Sequence, residues 1–280
     1  MNYRHAFHAG NFADVMKHVA LVSALSLMQR KEKPFRVLDT HAGRGRYRLD
    51  SSTATRGGEA AFGIDALLKA PEAGRPQAVA SYLEVVQAER AEFGPTTYPG
   101  SPAIAARLLR PDDRLVVCET HPEDSKRLAK LFQADTRVRV MASDGWTAVK
   151  AELPPPSRRG VILIDPPYEQ AGEHDRLMQA LAEGRRRFAT GVYLLWYPIK
   201  ARGRHRDFIA SLRKSQTPDL WSAELRVWSD RDPDRLNGAG LIICNPPYGF
   251  LDGYLDALRY LARVCGRDRH AGATLVDLSG

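Results

Sequence analysis

Short apolar runs recur along the chain at spacings that suit strands alternating with helices. Phe35 to Leu38, Arg114 to Cys118, Val138 to Met141, Val161 to Ile164 and Gly191 to Pro198 are brief and largely apolar. Runs of this kind are the signature of strands in a mostly parallel sheet covered on both faces. Two more, about Ala223 to Trp228 and Gly240 to Cys244, bring the expected strands to seven. Helices are expected over about Asp14 to Arg30, Glu123 to Gln133, Trp146 to Glu152 and Gly253 to Arg263. Ser101 reads as an N-cap, with Pro102 at the first position of a helix reaching about Arg110. The stretch 49–100 is too long for one crossover. Gly57-Gly58 and the run from Pro71 to Pro76 punctuate two helices in it, about Glu59 to Lys69 and Gln77 to Glu92. The plan is therefore an N-terminal arm, helix and first strand in residues 1–50, a small helical insertion subdomain in 51–100, and the remainder of the α/β domain in 101–280.

Composition narrows the partners. The 280 residues are 44% hydrophobic and carry a formal net charge of +8, with a pI near 9.5. A basic surface of this kind favours a polyanion. The three cysteines, Cys118, Cys244 and Cys265, lack metal-ligand spacing, which points to a reducing compartment and no zinc site. No secretory signal is visible, and Val19 to Met28 is too short to span a bilayer. A cytoplasmic protein without membrane contact is expected, and no obligate protein partner is evident.

Candidate chemistry sits where the strands end. Asp39, Glu119, Asp144 and Asp165 follow the first four strands or lie in the loops after them. Parallel strands put those ends on one rim, where open α/β sheets hold their ligands. Asp39 opens Thr40-His41-Ala42-Gly43-Arg44-Gly45, a Gly-rich turn that brings backbone close to a ligand. Arg48 stands where a dinucleotide fingerprint needs its third Gly or Ala, and no Walker lysine follows, so a phosphate site is disfavoured. A carboxylate after strand two suits ribose hydroxyls, one after strand three an amino group or a cation, and one after strand four the substrate. Asp165-Pro166-Pro167-Tyr168 offers a carboxylate, outward carbonyls and an aromatic face, which suits a flat amino-bearing base. Taken alone, it equally suits a strand ending in a Pro-rich turn. The leader, residues 1–18, interleaves Tyr3, Arg4, Phe7, Phe12 and Lys17 with His5, His8 and His18, a mixture fit for stacking on bases and pairing with phosphate. Lys200 to Arg206 is the densest basic run and a candidate phosphate contact. Asn245-Pro246-Pro247-Tyr248 repeats the strand-end grammar after strand seven.

The ordered set Asp39 to Gly45, Glu119, Asp144-Gly145 and Asp165 to Tyr168 resembles class I S-adenosylmethionine-dependent methyltransferases. The leader, Tyr98-Pro99-Gly100-Ser101-Pro102 and Ser157 to Glu169 are similar, over nearly the whole chain, to one family, the bacterial 23S ribosomal RNA adenine-N6 methyltransferase RlmJ. The resemblance implies a Rossmann-like class I methyltransferase fold with a seven-stranded mostly parallel sheet, an antiparallel last strand and the helical insertion. It implies S-adenosyl-L-methionine as cofactor, held by His18, His41, Ser101, Glu119, Asp144 and Gly145. Asp165, with Pro166 and Tyr168, is then the catalytic set, and Tyr3 and Lys17 meet the substrate, 23S ribosomal RNA. In that fold strand seven runs between strands five and six and ends on the opposite rim, so Asn245 to Tyr248 is expected to be a structural turn. Rival readings are a DNA adenine-N6 or protein glutamine methyltransferase of the same fold, or an RNA-binding module with a dead site.

Overall fold

The apolar runs come together in one sheet. In the computed structural model, which describes residues 8–51, 58–200, 204–229, 232 and 235–279, ten strands form. They are β1 (Arg36–Asp39), β2 (Arg46–Arg48), β3 (Thr97–Pro99), β4 (Arg114–Cys118), β5 (Val138–Met141), β6 (Gly160–Ile164), β7 (Val192–Ile199), β8 (Leu220–Arg226), β9 (Gly238–Cys244) and β10 (Gly272–Asp277). Eight make the main sheet in the order β10-β8-β9-β7-β6-β1-β4-β5. From β5 to β7 neighbouring strands are parallel, while β9 is antiparallel to both β7 and β8. The seven expected strands are thus present, with β9 between β7 and β8. An eighth, β10, extends the edge antiparallel to β8. Its sequence carries no strand signal, because an edge strand half in solvent has mixed polarity instead of a continuous apolar run.

The helices are α1 (Phe12–Gln29), α2 (Ile64–Lys69), α3 (Gln77–Phe93), α4 (Ser101–Leu108), α5 (Pro122–Leu131), α6 (Gly145–Glu152), α7 (Glu173–Arg187), α8 (Arg204–Lys214) and α9 (Phe250–Cys265), with a 3₁₀ turn at Glu59–Phe62. Two apolar layers cover the two faces of the sheet. One gathers α1, α3, α4 and α9, including Val15, Val19, Tyr82, Ile104 and Tyr254. The other gathers α6, α7 and α8 around Ile162, Ile164, Leu177 and Phe208. The insertion shares the first layer: Ile64, Leu67, Val79 and Tyr82 pack in the same cluster as α1. A two-stranded ribbon, β2 with β3, closes the insertion at its base.

Helix α1 begins earlier than the sequence suggests. Asn11, not Asp14, is the N-cap, and its side chain accepts the Asp14 N–H. Ser101 is likewise not a cap: Gly100 takes that place, which frees the serine hydroxyl for Asp39. The proline-rich loop Pro154 to Arg159, before β6, lies on the rim where the parallel strands start. There the Arg159 guanidinium donates to the carbonyls of Lys33 and Met28, and Arg110 donates to Lys31 and Lys33. These arginines clamp the link between α1 and β1. In the basic run from Lys200 to Arg206, residues 201–203 lie outside the described residues, and His205 is buried beside Arg226. Among the described residues no helix is long and apolar enough to cross a membrane.

Candidate active site

The ends of β1, β4 and β6 open onto one cavity of about 430 Å³, within the size range of small-molecule sites. Its floor is the turn after β1. Gly43 and Gly45 hold positive φ of +60° and +78°, a region that costs little only for glycine. The turn is tied to the strands beside it: the Thr40 N–H donates to the Leu163 carbonyl at 3.1 Å and the Ala42 N–H to the Cys118 carbonyl at 2.9 Å. Gly145, at the start of α6, meets the same turn so closely that a Cβ there would overlap the Thr40 carbonyl.

The four strand-end carboxylates differ in their surroundings. Glu119 accepts the backbone N–H groups of Gly43 at 2.8 Å and His121 at 2.6 Å. Burial nevertheless pushes its pKa above the usual carboxylate value. Asp39 is buried, accepts the Ser101 hydroxyl at 2.6 Å and the His41 N–H at 3.3 Å, and is pushed by burial up to about 6. Asp144 is exposed and caps α6 through the Trp146 N–H at 2.9 Å. Asp165 is held by an ion pair with Lys17. Lys17, expected at the substrate, is buried, and its Nζ bridges Asp14, at 2.9 Å, and Asp165. Burial opposes its charge, but the two carboxylates outweigh burial and raise its pKa. Lys17 is therefore an ammonium locked against the catalytic candidate.

His18 is fully buried, and its Nδ1 hydrogen-bonds the Tyr98 hydroxyl at 2.9 Å, which in turn contacts the Tyr82 hydroxyl at 3.1 Å. The His41 ring lies edge-on to Trp146 at 5.1 Å, and desolvation pushes its pKa down to about 4, so it is neutral at physiological pH. His18, His41, Ser101, Glu119, Asp144, Gly145, Lys17, Asp165 and Pro166 all line the one cavity. Tyr168 does not line it. Its ring stands edge-on to His174 at 5.1 Å and Trp196 at 5.7 Å, and its hydroxyl donates to the Trp196 carbonyl at 3.2 Å. Tyr168 also holds a φ of +55°, a strained value for an aromatic residue. Tyr3 lies outside the described residues.

The second Pro-Pro-Tyr segment is elsewhere. β9 runs against β7, so Asn245 emerges on the far rim, where its Nδ2 donates to the carbonyls of Ala189 at 2.6 Å and Gly191 at 2.8 Å. Its oxygen accepts from Arg185, and Tyr248 is 96% exposed. Asn245 thus closes a turn.

A family model described as "Ribosomal RNA large subunit methyltransferase D, RlmJ" matches residues 32–278. The chain belongs to the RlmJ family. Two relatives, both named ribosomal RNA large subunit methyltransferase J, are similar over most of their lengths. The one from Escherichia coli K12 is 43% identical over 248 residues, 89% of this chain and 88% of the relative. The one from Haemophilus influenzae is 39% identical over 267 residues, 94% of each. A crystal structure of a Legionella pneumophila protein superposes with a TM-score of 0.85 at 32% identity, covering 96% of this chain and 98% of that one.

Several residues of this RlmJ-family cavity had no sequence signal strong enough to single them out. Tyr47, Trp146, Glu173 and Arg176 line it, although each reads in sequence as an ordinary core or helix-end residue. Asp14 was legible only as a helix starter, yet its spacing of three from Lys17 places both on one helix face. Six carboxylates (Glu119, Asp124, Asp144, Asp165, Glu169 and Glu173) and two cationic side chains (Lys17 and Arg176) line the walls. That balance repels a polyphosphate and suits a ligand carrying positive charge with hydroxyls to donate. S-adenosylmethionine, with its sulfonium, ammonium and ribose, fits such a donor and acceptor set.

Proposed function

We propose that this chain methylates the exocyclic N6 amine of a specific adenine in 23S ribosomal RNA, using S-adenosylmethionine. The names of the relatives and the acid-rich cavity beside Asp165 support this reading. Glu119 would accept the ribose hydroxyls, and His18, His41, Ser101, Asp144 and Gly145, which line the same cavity, would hold the rest of the cofactor. When bound, S-adenosylmethionine supplies a methyl group activated by positive sulfur. Everything else falls to the side chains. Adenine N6 is a poor nucleophile because its lone pair is delocalised into the ring. The Asp165 carboxylate and the Pro166 carbonyl accept its two N–H groups and favour a pyramidal nitrogen. The exposed part of the Tyr168 ring, held by His174 and Trp196, is the face on which the extruded base stacks. Lys17 orients Asp165 through their ion pair, so the carboxylate serves first as acceptor and takes the proton after transfer. Orientation of amine against methyl supplies much of the rate.

The observation that carries this reading is the placement of Asp165 on the shared cavity rim, paired with a buried cation. The test is methyl transfer to 23S RNA from a strain lacking the gene, followed by mapping of modified adenines. The wild-type protein is expected to modify one adenine, and Asp165→Ala to lose at least a thousandfold in rate while S-adenosylmethionine affinity stays within a few-fold. Transfer to DNA or protein instead, or an active Asp165→Ala enzyme, would overturn the assignment.

A further inference from the structure

Residues 8–14 are clamped from outside their own helix. Glu59, in the 3₁₀ turn of the insertion, receives three hydrogen bonds from them. The His8 Nδ1 lies 2.9 Å from Oε1 and 3.0 Å from Oε2, and the Asn11 Nδ2 donates to Oε2 at 2.8 Å. Five residues on, the Ile64 N–H donates to the Gly10 carbonyl at 2.8 Å. Gly63 allows that approach, because a Cβ there would overlap the Gly10 carbonyl and the Asn11 and Phe12 backbone. The held segment is not idle. Asn11 caps the Asp14 N–H at 2.9 Å, the Gly10 N–H donates to the Asp14 carboxylate at 3.0 Å, and that carboxylate binds Lys17, which binds Asp165.

We infer that Glu59 is a positioning residue for transfer: through His8 and Asn11 it fixes the Asp14–Lys17 pair that orients Asp165. The insertion is therefore a clamp on the start of α1 as well as a flank of the domain. Glu59 is about one-third exposed, so its bonds contribute little to global stability. Their geometry fixes where the chain enters the site. The inference rests on the reading of Asp165 as the acceptor for the target amine.

The test compares Glu59→Ala, Glu59→Gln and Gly63→Ala with wild type, measuring kcat and KM for 23S RNA, Kd for S-adenosylmethionine, and hydrogen exchange of the Gly10 and Asp14 amides. Wild-type transfer is the control: if it is absent, the proposed function fails, whatever the variants do. Given that control, Glu59→Ala is expected to lower kcat/KM for RNA at least tenfold, with donor Kd within threefold and melting temperature within a few degrees. The Gly10 and Asp14 amides should exchange faster. Glu59→Gln keeps an acceptor for Asn11 and should recover part of the loss. Gly63→Ala, which alters no charge but pushes a Cβ into the Gly10 carbonyl, should lower kcat/KM and speed exchange of the same amides, and Glu59→Gln serves in place of Glu59→Ala if that variant does not accumulate. Unchanged kcat/KM, or equal loss of donor binding and transfer, overturns the inference.

Discussion

Asp39 shows how one buried side chain sets the conditions for the site. Its carboxyl is held near pKa 6 chiefly by burial, offset in part by the Ser101 hydroxyl and by Lys17. Because the folded-state value lies above the ordinary 3.8, the folded protein binds the extra proton. This contribution favours folding at low pH and is lost as pH rises through 6, at a cost of about 3 kcal/mol by neutral pH. A cationic ligand reverses the sign locally, since it prefers the ionised form. Affinity for S-adenosylmethionine is expected to tighten as pH rises from 5 to 7, with proton release on binding. Asp39→Asn should flatten that profile, and calorimetry in buffers of different ionisation heat reads both effects. The acids themselves were legible in the sequence, because a charge directly after an apolar run marks a strand end. The partners of Lys17 were not, since it lies 148 residues from Asp165.

Among the elements, long apolar strands were easy to read and short or half-wet ones were not. β2 and β3 have three residues each, too few for any period to show. β10 buries little of its own length, yet Leu278 just beyond it is 1% exposed and its N–H donates to the Leu220 carbonyl at 2.8 Å. Leu278→Ala should cost about 2–4 kcal/mol and lower the melting temperature by roughly 5–10 °C. Donor affinity should hold, because β10 is four strands removed from β6. A melting scan with and without S-adenosylmethionine separates the two. The expected boundaries of α1 and α4 were off for one reason: sequence offers several capping side chains, and tertiary contacts choose among them. Asp14 was wanted by Lys17 and Ser101 by Asp39.

For the whole molecule, strand direction decides which of two near-identical motifs reaches the cavity. β6 is parallel to its neighbours and delivers Asp165 to the cavity, while β9 is antiparallel and delivers Asn245 to the far rim. Tyr248→Ala should therefore leave the transfer rate within about twofold of wild type, where Tyr168→Ala should lose at least a hundredfold. Equal effects in a single-turnover assay would contradict the topology argument. The ion pair between Lys17 and Asp165 has a consequence for synthesis. β1 sits between β4 and β6, so the pocket stays open on one side until residues past 165 have left the ribosome. A product terminated early, however well its first helix folds, lacks the carboxylate that the lysine awaits. A chain that stops before residue 165 is therefore expected to show no methyl transfer, whatever target it is offered.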